Sequence, residues 1–189
     1  FTPQMLKETK PAIGGLVRYN LSERIALRGN LTYGQISGDD ANFNSNYKNN
    51  LRNLSFRSDI LEVSFMGEFH LMKFDPSDRD KQTTIYGLAG FGIFNFNPQA
   101  EFEDKWVDLQ PLGTEGQGTS AFPDREKYSL TQFSFPLGAG VKHALSRNWT
   151  IGAEVGFRLT TTDYLDDVSK TYAPRDVLVS RYGEISYRL

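Results

Sequence analysis

The stretch "LEVSFMGEFHLMKF", residues 61–74, sets Ser64, Glu68 and His70 at even spacings, which is one row of a strand. A hydroxyl, a carboxylate and an imidazole are the groups of nucleophilic hydrolysis, in which an oriented base activates the hydroxyl. The chain's other histidine, His143, falls on the apolar parity near a strand end, a place for an interfacial side chain rather than a ligand. Same-row neighbours two residues apart stand about 6 to 7 Å from one another, so Glu68 and His70 need no catalytic duty to be close. The two readings are a wall-mounted, lipid-modifying site centred on His70, and membership of a charge network. The second is the expectation: no enzyme, and no cofactor.

Charges on the same parity recur along the chain. Arg18, Arg28, Lys142, Arg158 and Arg188 face Glu62, Glu68 and Glu154, a mixed set that could pair in a narrow interior. Charges removed from water must be paired. The acid pairs Asp39 with Asp40 and Asp166 with Asp167 sit in loops without the spacing of a calcium site, so no metal is expected. The absence of cysteine excludes disulfide frameworks, thiolate metal sites and thiol nucleophiles together. With a net charge of −2 and its Lys and Arg dispersed, the chain lacks the basic patch of a nucleic-acid binder.

These side chains need strands to position them. In "WTIGAEVGFRL", residues 149–159, Trp149, Ile151, Val155, Phe157 and Leu159 alternate with Thr150, Gly152, Glu154 and Arg158, the period of two that marks a strand. The same alternation runs through Ile13–Asn20, Ile25–Tyr33, Leu61–Met72 and Gln132–Lys142. "IYGLAGFGIFNF", residues 85–96, is apolar on both parities, so it reads as a strand without assigned faces, and Gly90 and Gly92 allow close packing or a bulge. Pro136 reads as a bulge. No run of about 18 apolar residues exists and the mean hydropathy is −0.46, which excludes a transmembrane helix. A transmembrane barrel escapes that test, because its strands are only half apolar.

Loop lengths alternate. Leu21–Arg24, Asp75–Gln82 and Ser146–Asn148 are short; Ser37–Asn53, Pro98–Tyr128 and the segment from Thr162 are long. Tight turns at one end and long polar loops at the other are the plan of an outer-membrane barrel, turns periplasmic and loops extracellular. The expectation is one domain over residues 1–189, an all-β, antiparallel, up-and-down transmembrane β-barrel of eight strands. An ascending strand is expected before Phe1, and "ISYRL", residues 185–189, is expected as the remnant of a last strand, with residues missing after Glu184. "YAPRDVLVSRYGE" reads as loop. Tyr19, Tyr33, Phe74, Phe94, Phe96, Phe133, Trp149 and Tyr187 lie near strand ends as an aromatic girdle would. A lipocalin-like soluble barrel, with the apolar face turned inward, is the competing architecture.

"KPAIGGLVRYNLSERIALRGNLTYGQISGDD" (residues 10–40), "NFNPQAEF" (95–102), "DLQPLGTEGQG" (108–118), "YSLTQ" (128–132) and "TDYLDDVSKTY" (162–172) together resemble the PorG-type outer-membrane barrels of Bacteroidota. The resemblance covers most of the chain. It implies a non-enzymatic anchor or docking component of the type IX (Por) protein secretion system, in contact with outer-membrane lipid and with the periplasmic ring of PorK- and PorN-type proteins, and it implies no catalytic residues. The most elaborate short turn, with Asp75, Asp78, Arg79, Asp80 and Lys81, is the expected docking element. A structural or adhesive surface barrel acting through its long loops is the alternative.

Overall fold

The computed structural model describes residues 10–39, 55–103, 105–168 and 172–188. Most of the loop read at Ser37–Asn53, with Asp40, and the terminal Leu189 lie outside the described residues.

Period-two patterning becomes a seven-stranded antiparallel sheet. Its strands are β1 (Ala12–Asn20), β2 (Ile25–Asp39), β3 (Ser55–His70), β4 (Thr83–Phe102), β5 (Lys105–Asp108), β6 (Thr131–Ala144) and β7 (Thr150–Thr160). Six long strands follow one another in chain order, and the short β5 folds back on the outer end of β4. Among the described residues the sheet is not closed: β1 pairs only with β2, and β7 only with β6. Among the described residues no helix is long and apolar enough to cross a membrane.

The sheet curls with its polar face inward. On β2, Arg28 and Asn30 are buried while Ile25, Leu27, Leu31 and Tyr33 are exposed; on β3, Ser64, Glu68 and His70 are buried while Leu61, Val63, Phe65 and Phe69 are exposed. That polarity is the reverse of the lipocalin arrangement, whose apolar residues fill the inside. The ambiguous β4 alternates too: Tyr86, Leu88, Phe94 and Phe96 point inward, and Ile85, Phe91 and Ile93 outward.

Pro136 makes no bulge. The β4–β6 ladder is interrupted opposite it, between Ala89↔Leu137 and Gly92↔Ser134, yet resumes in the same register, and β6–β7 runs through Pro136↔Arg158 unshifted. Gly92 answers to packing: a Cβ there would stand 2.6 Å from Ser134 Oγ and 2.9 Å from Ser64 Cβ. Gly92→Ala is therefore expected to cost about 1–3 kcal/mol, readable as a lowered urea midpoint in detergent.

The C-terminal segment departs from the expectation. Residues 175–182 form helix α1 (Arg175–Tyr182), and the expected strand remnant is a short helix, α2 (Ile185–Arg188), with Tyr187 N donating to Glu184 O. Leu178 of α1 is buried, and the Tyr182 hydroxyl donates to Gln117 O, 2.5 Å. Tertiary contact decides these helices, since neither carries a clear helical pattern of its own.

Candidate functional site

Inward rows from three other strands converge on Glu68 of β3. Its Oε1 accepts from Arg18 on β1 at 2.8 Å and from Arg28 on β2 at 3.4 Å, and its Oε2 from Lys142 on β6 at 2.8 Å. Arg28 also reaches Glu154 on β7 at 2.6 Å, crossing the concave interior, and the Tyr86 hydroxyl donates to Glu154 at 2.9 Å. A second group lies nearer the long loops, where Glu62 accepts from Arg158 at 2.9 Å and from Ser134 at 2.8 Å. The structure thus brings Arg18, Arg28, Glu62, Glu68, His70, Lys142, Glu154 and Arg158 to one interior. Arg188 lies elsewhere: on α2 it stands 3.8 Å from Glu103 with its guanidinium over the Phe102 ring, because the segment that bears it is helical.

His70 is held on both sides. Its Nδ1 lies 3.1 Å from the carbonyl of Glu23, which fixes Nδ1–H as the donor, and its Nε2 lies 2.8 Å from Lys142 Nζ. Ser64 instead accepts from Asn30 Nδ2 at 3.3 Å. His70 Nε2 also lies 3.4 Å from Glu68 Oε2, so Glu68 and His70 share the Lys142 ammonium, while Ser64 is engaged by Asn30 instead of by His70. Among the described residues no group of three or more His, Asp or Glu is placed to hold a metal ion.

Both ends of the interior are stopped by aromatic groups. At the short-turn end Phe74 is buried edge-on to His70, and the Lys142 ammonium sits over the rings of Phe74 and Tyr86 at 4.9 and 4.8 Å. The turns there are tied together, with Phe74 N and His70 N donating to the carbonyls of Glu23 and Arg24. At the long-loop end the turn Tyr164–Asp166 seats Tyr164 and Leu165 on Phe94, Phe96, Tyr128 and Ile60, with Tyr128 stacked on Tyr164 at 4.5 Å. Phe74, Phe94 and Phe96 are therefore stoppers rather than girdle residues, since strand-end aromatics can point inward, and Tyr187 is on α2. Tyr19, Tyr33, Phe133 and Trp149 do face outward.

The cap holds a polar group that strand parity could not reveal. Asp167, buried in a left-handed backbone conformation, accepts from Thr114 at 2.5 Å and from the Tyr128 hydroxyl. Burial pushes its carboxyl up to about 6, against the two hydroxyl hydrogen bonds and with Glu115 and Asp166 adding to the rise. Burial, then the Asp167 charge, pushes the Tyr128 hydroxyl up as well. Gly116, in the "LQPLGTEGQG" stretch, takes a positive φ of 82° where a Cβ would meet the Phe122 ring at 2.6 Å. Glycine at that point was the one legible trace of the cap.

The proposed docking turn is largely self-satisfied. Lys81 bonds Glu23 at 2.9 Å and Asp78 at 3.2 Å, Asp78 accepts from Asp80 N, and Asp75 accepts from Ser77 N. The hydrogen bonds from Lys81 and Lys73 hold the Glu23 carboxyl below its usual range, and Glu23 in turn raises Lys81. Arg79 and Asp80 are left pointing to solvent at the tip.

An all-β antiparallel meander, apolar outside, charged within and stoppered at both ends, is the class of protein these features define. Residues 2–186 match the model of the family described as a domain of unknown function (DUF6089), and the chain belongs to that family. Neither the curated proteins nor the solved structures contain a match.

Proposed function

We propose that the protein is an outer-membrane β-barrel whose convex face meets lipid, and that it acts as a non-enzymatic anchor or docking component of a type IX secretion machinery, contacting a periplasmic ring of PorK and PorN type. The observation that carries the membrane reading is the inverted polarity: Ile13, Val17, Phe65, Trp149, Val155 and Phe157 are all half or more exposed around the outside, whereas monomeric soluble proteins avoid contiguous apolar surfaces of that extent. The secretion reading is supported by the ordered family stretches of the sequence.

A plugged interior makes the barrel a poor conduit for protein, so its part in secretion is structural. The exposed tip of the turn Asp75–Gln82 is then the contact. Substituting Arg79→Ala and Asp80→Ala together leaves the internal bonds of Lys81, Asp78 and Asp75 in place, so the barrel is expected to assemble normally while cross-linking to the ring and secretion fall at least tenfold. Secretion at the parental level in that double variant would remove the turn from the docking role. Gentle detergent extraction from the native membrane, followed by mass spectrometry of what stays bound, tests the reading as a whole. A stoichiometric lipoprotein ring is expected; a barrel recovered alone, with no contact found by cross-linking, speaks against docking.

The surface-barrel reading has its own support in the cap, where a cleft of about 550 Å³ is lined by Thr119, Ser120, Asp176, Ser180 and Arg181. Under that reading, substitutions in Asp108–Gly118 abolish function and changes at Arg79 and Asp80 do not.

A further inference from the structure

The cleft in the cap has walls that the fold ties together at both ends. One wall is the loop through Thr119 and Ser120, the other is the face of α1 that carries Asp176, Ser180 and Arg181, and about 550 Å³ lies between them. At the end of α1 the Tyr182 hydroxyl donates to Gln117 O at 2.5 Å, and just before its start Ala173 N donates to Thr114 O at 3.1 Å. The loop is pinned in turn: Gly118 N donates to Arg125 O, Thr119 N to Gly116 O, and the Arg125 guanidinium to Glu115 O. Every residue lining the cleft is a described one. A charge on an open face is simply hydrated; the charges here stand over a cleft of fixed shape.

The polar groups in it have defined roles. Thr119 Oγ1 donates to Gly116 O at 2.7 Å and Ser180 Oγ to Val177 O at 2.9 Å, so each hydroxyl has committed its proton and meets a ligand only as an acceptor. A carboxylate likewise only accepts, and a guanidinium only donates. Among the described residues Asp176, Arg181 and the Ser120 hydroxyl make no hydrogen bond or ion pair. Asp176 stands in the first turn of α1 and Arg181 in the last, about 7.5 Å apart along the axis. Ser180, four residues from Asp176, is its neighbour on the helix surface. One end of the cleft thus gathers acceptors, and the other presents a cation.

Only a ligand that carries both charges answers both ends. An anion alone would face the Asp176 carboxylate, and a cation alone the Arg181 guanidinium. A neutral saccharide would take both from water and pair neither, and none of the lining residues offers an aromatic ring for a sugar to stack on.

We propose that this cleft binds a short zwitterionic peptide, its ammonium donating to Asp176 and Ser180 and its carboxylate accepting from Arg181. Two to three extended residues, at about 3.3–3.6 Å each, span the two charges, and the volume lies in the range of small-ligand sites. Thr119 adds an acceptor, and Ser120 a hydroxyl that can serve either end. The geometry needs neither lipid nor a secretion ring, so the inference goes beyond the docking role and is tested apart from it.

The test uses the native protein, isolated from its envelope in detergent, and labelled triglycine in equilibrium dialysis. Saturable binding at a single site per chain is expected. Acetylating the peptide's amine or amidating its carboxylate should weaken it at least about tenfold, since each removes one charge-assisted pair. Arg181→Gln is expected to bind triglycine and its amide alike while still discriminating against acetyl-triglycine, and Asp176→Asn the reverse, a crossed pattern that a misfolded cap could not give. No saturable binding up to about 10 mM, past the millimolar affinities of weak ligands, overturns the proposal. So does binding indifferent to acetylation and amidation, or saturable binding of maltotriose that neither substitution weakens, which would make the cleft a saccharide site.

Discussion

Glu68→Ala is expected to destabilise the folded sheet by about 3–5 kcal/mol, the loss that follows when one member of a buried ion network is removed and its partners remain. The geometry places Glu68 at the centre of that network. Arg18 and Arg28 are directly opposed in the β1–β2 ladder, a like-charge pairing that destabilises a sheet unless an anion answers it. Glu68 answers both, and Lys142 as well. With alanine there, three cations share Glu154, which already binds Arg28 and the Tyr86 hydroxyl. Urea unfolding in detergent, followed by the mobility difference between folded and unfolded forms on a gel, measures the loss. Glu68→Ala combined with Lys142→Met removes one cation with the anion and should recover part of it. A loss below about 1 kcal/mol would show the charges to be solvated, and the interior open to water.

That network was legible in the sequence because its residues stand on strands with one polar and one apolar face, and the period of two assigns each side chain to its side. Arg28, Glu68 and Lys142 could be named without coordinates on that ground alone. Legibility stopped where both faces are apolar: Tyr86, an inward partner of Glu154, lies in the stretch Ile85–Phe96, where parity carries no contrast. It stopped again at the strand ends, since Phe74, Phe94 and Phe96 satisfy the composition of a girdle and of a plug equally well. The direction in which each ring points is set by the turn or loop packed upon it. In the C-terminal segment the sequence pattern was absent rather than ambiguous. Helix α1 begins after Pro174 without a side-chain cap; its Leu178 is buried, and its Tyr182 hydroxyl donates to Gln117 O, 65 positions away. Asp167 was noted only as half of an acid pair. Its burial depends on Thr114 and Tyr128, which arrive from a different loop.

The cap is expected to tighten on acidification, through Asp167. Its carboxyl titrates near 3.8 when exposed and at about 6 in the folded cap. Between those values the folded protein holds a proton that the opened cap releases, so stability falls as pH rises across the window. The contribution is fully present below about pH 4 and lost above about pH 6, and the interval corresponds to about 3 kcal/mol. The groups facing Asp167 are Thr114 and Tyr128, which donate to it, with Glu115 and Asp166 as further acids on the two loops; no cation bonds it among the described residues. Asp167→Asn removes the buried charge while keeping a side chain that tolerates the left-handed backbone at φ 70°. The variant at pH 7.5 should exceed the parent at the same pH and match the parent only when the latter is below about pH 4, where its contribution is fully present. Hydrogen exchange at the Ala173 amide, which donates to Thr114 O across the two loops, reports cap opening directly. Corrected for intrinsic rates, its protection in the parent is expected to rise about 25-fold from pH 7.5 to pH 4.5, the share of that ~3 kcal/mol that falls between those pH values when the opened cap titrates near 3.8, and to stay flat within threefold in Asp167→Asn. An undiminished pH dependence in the variant would transfer the effect to Glu115 or Asp166 and leave Asp167 a satisfied, charged residue.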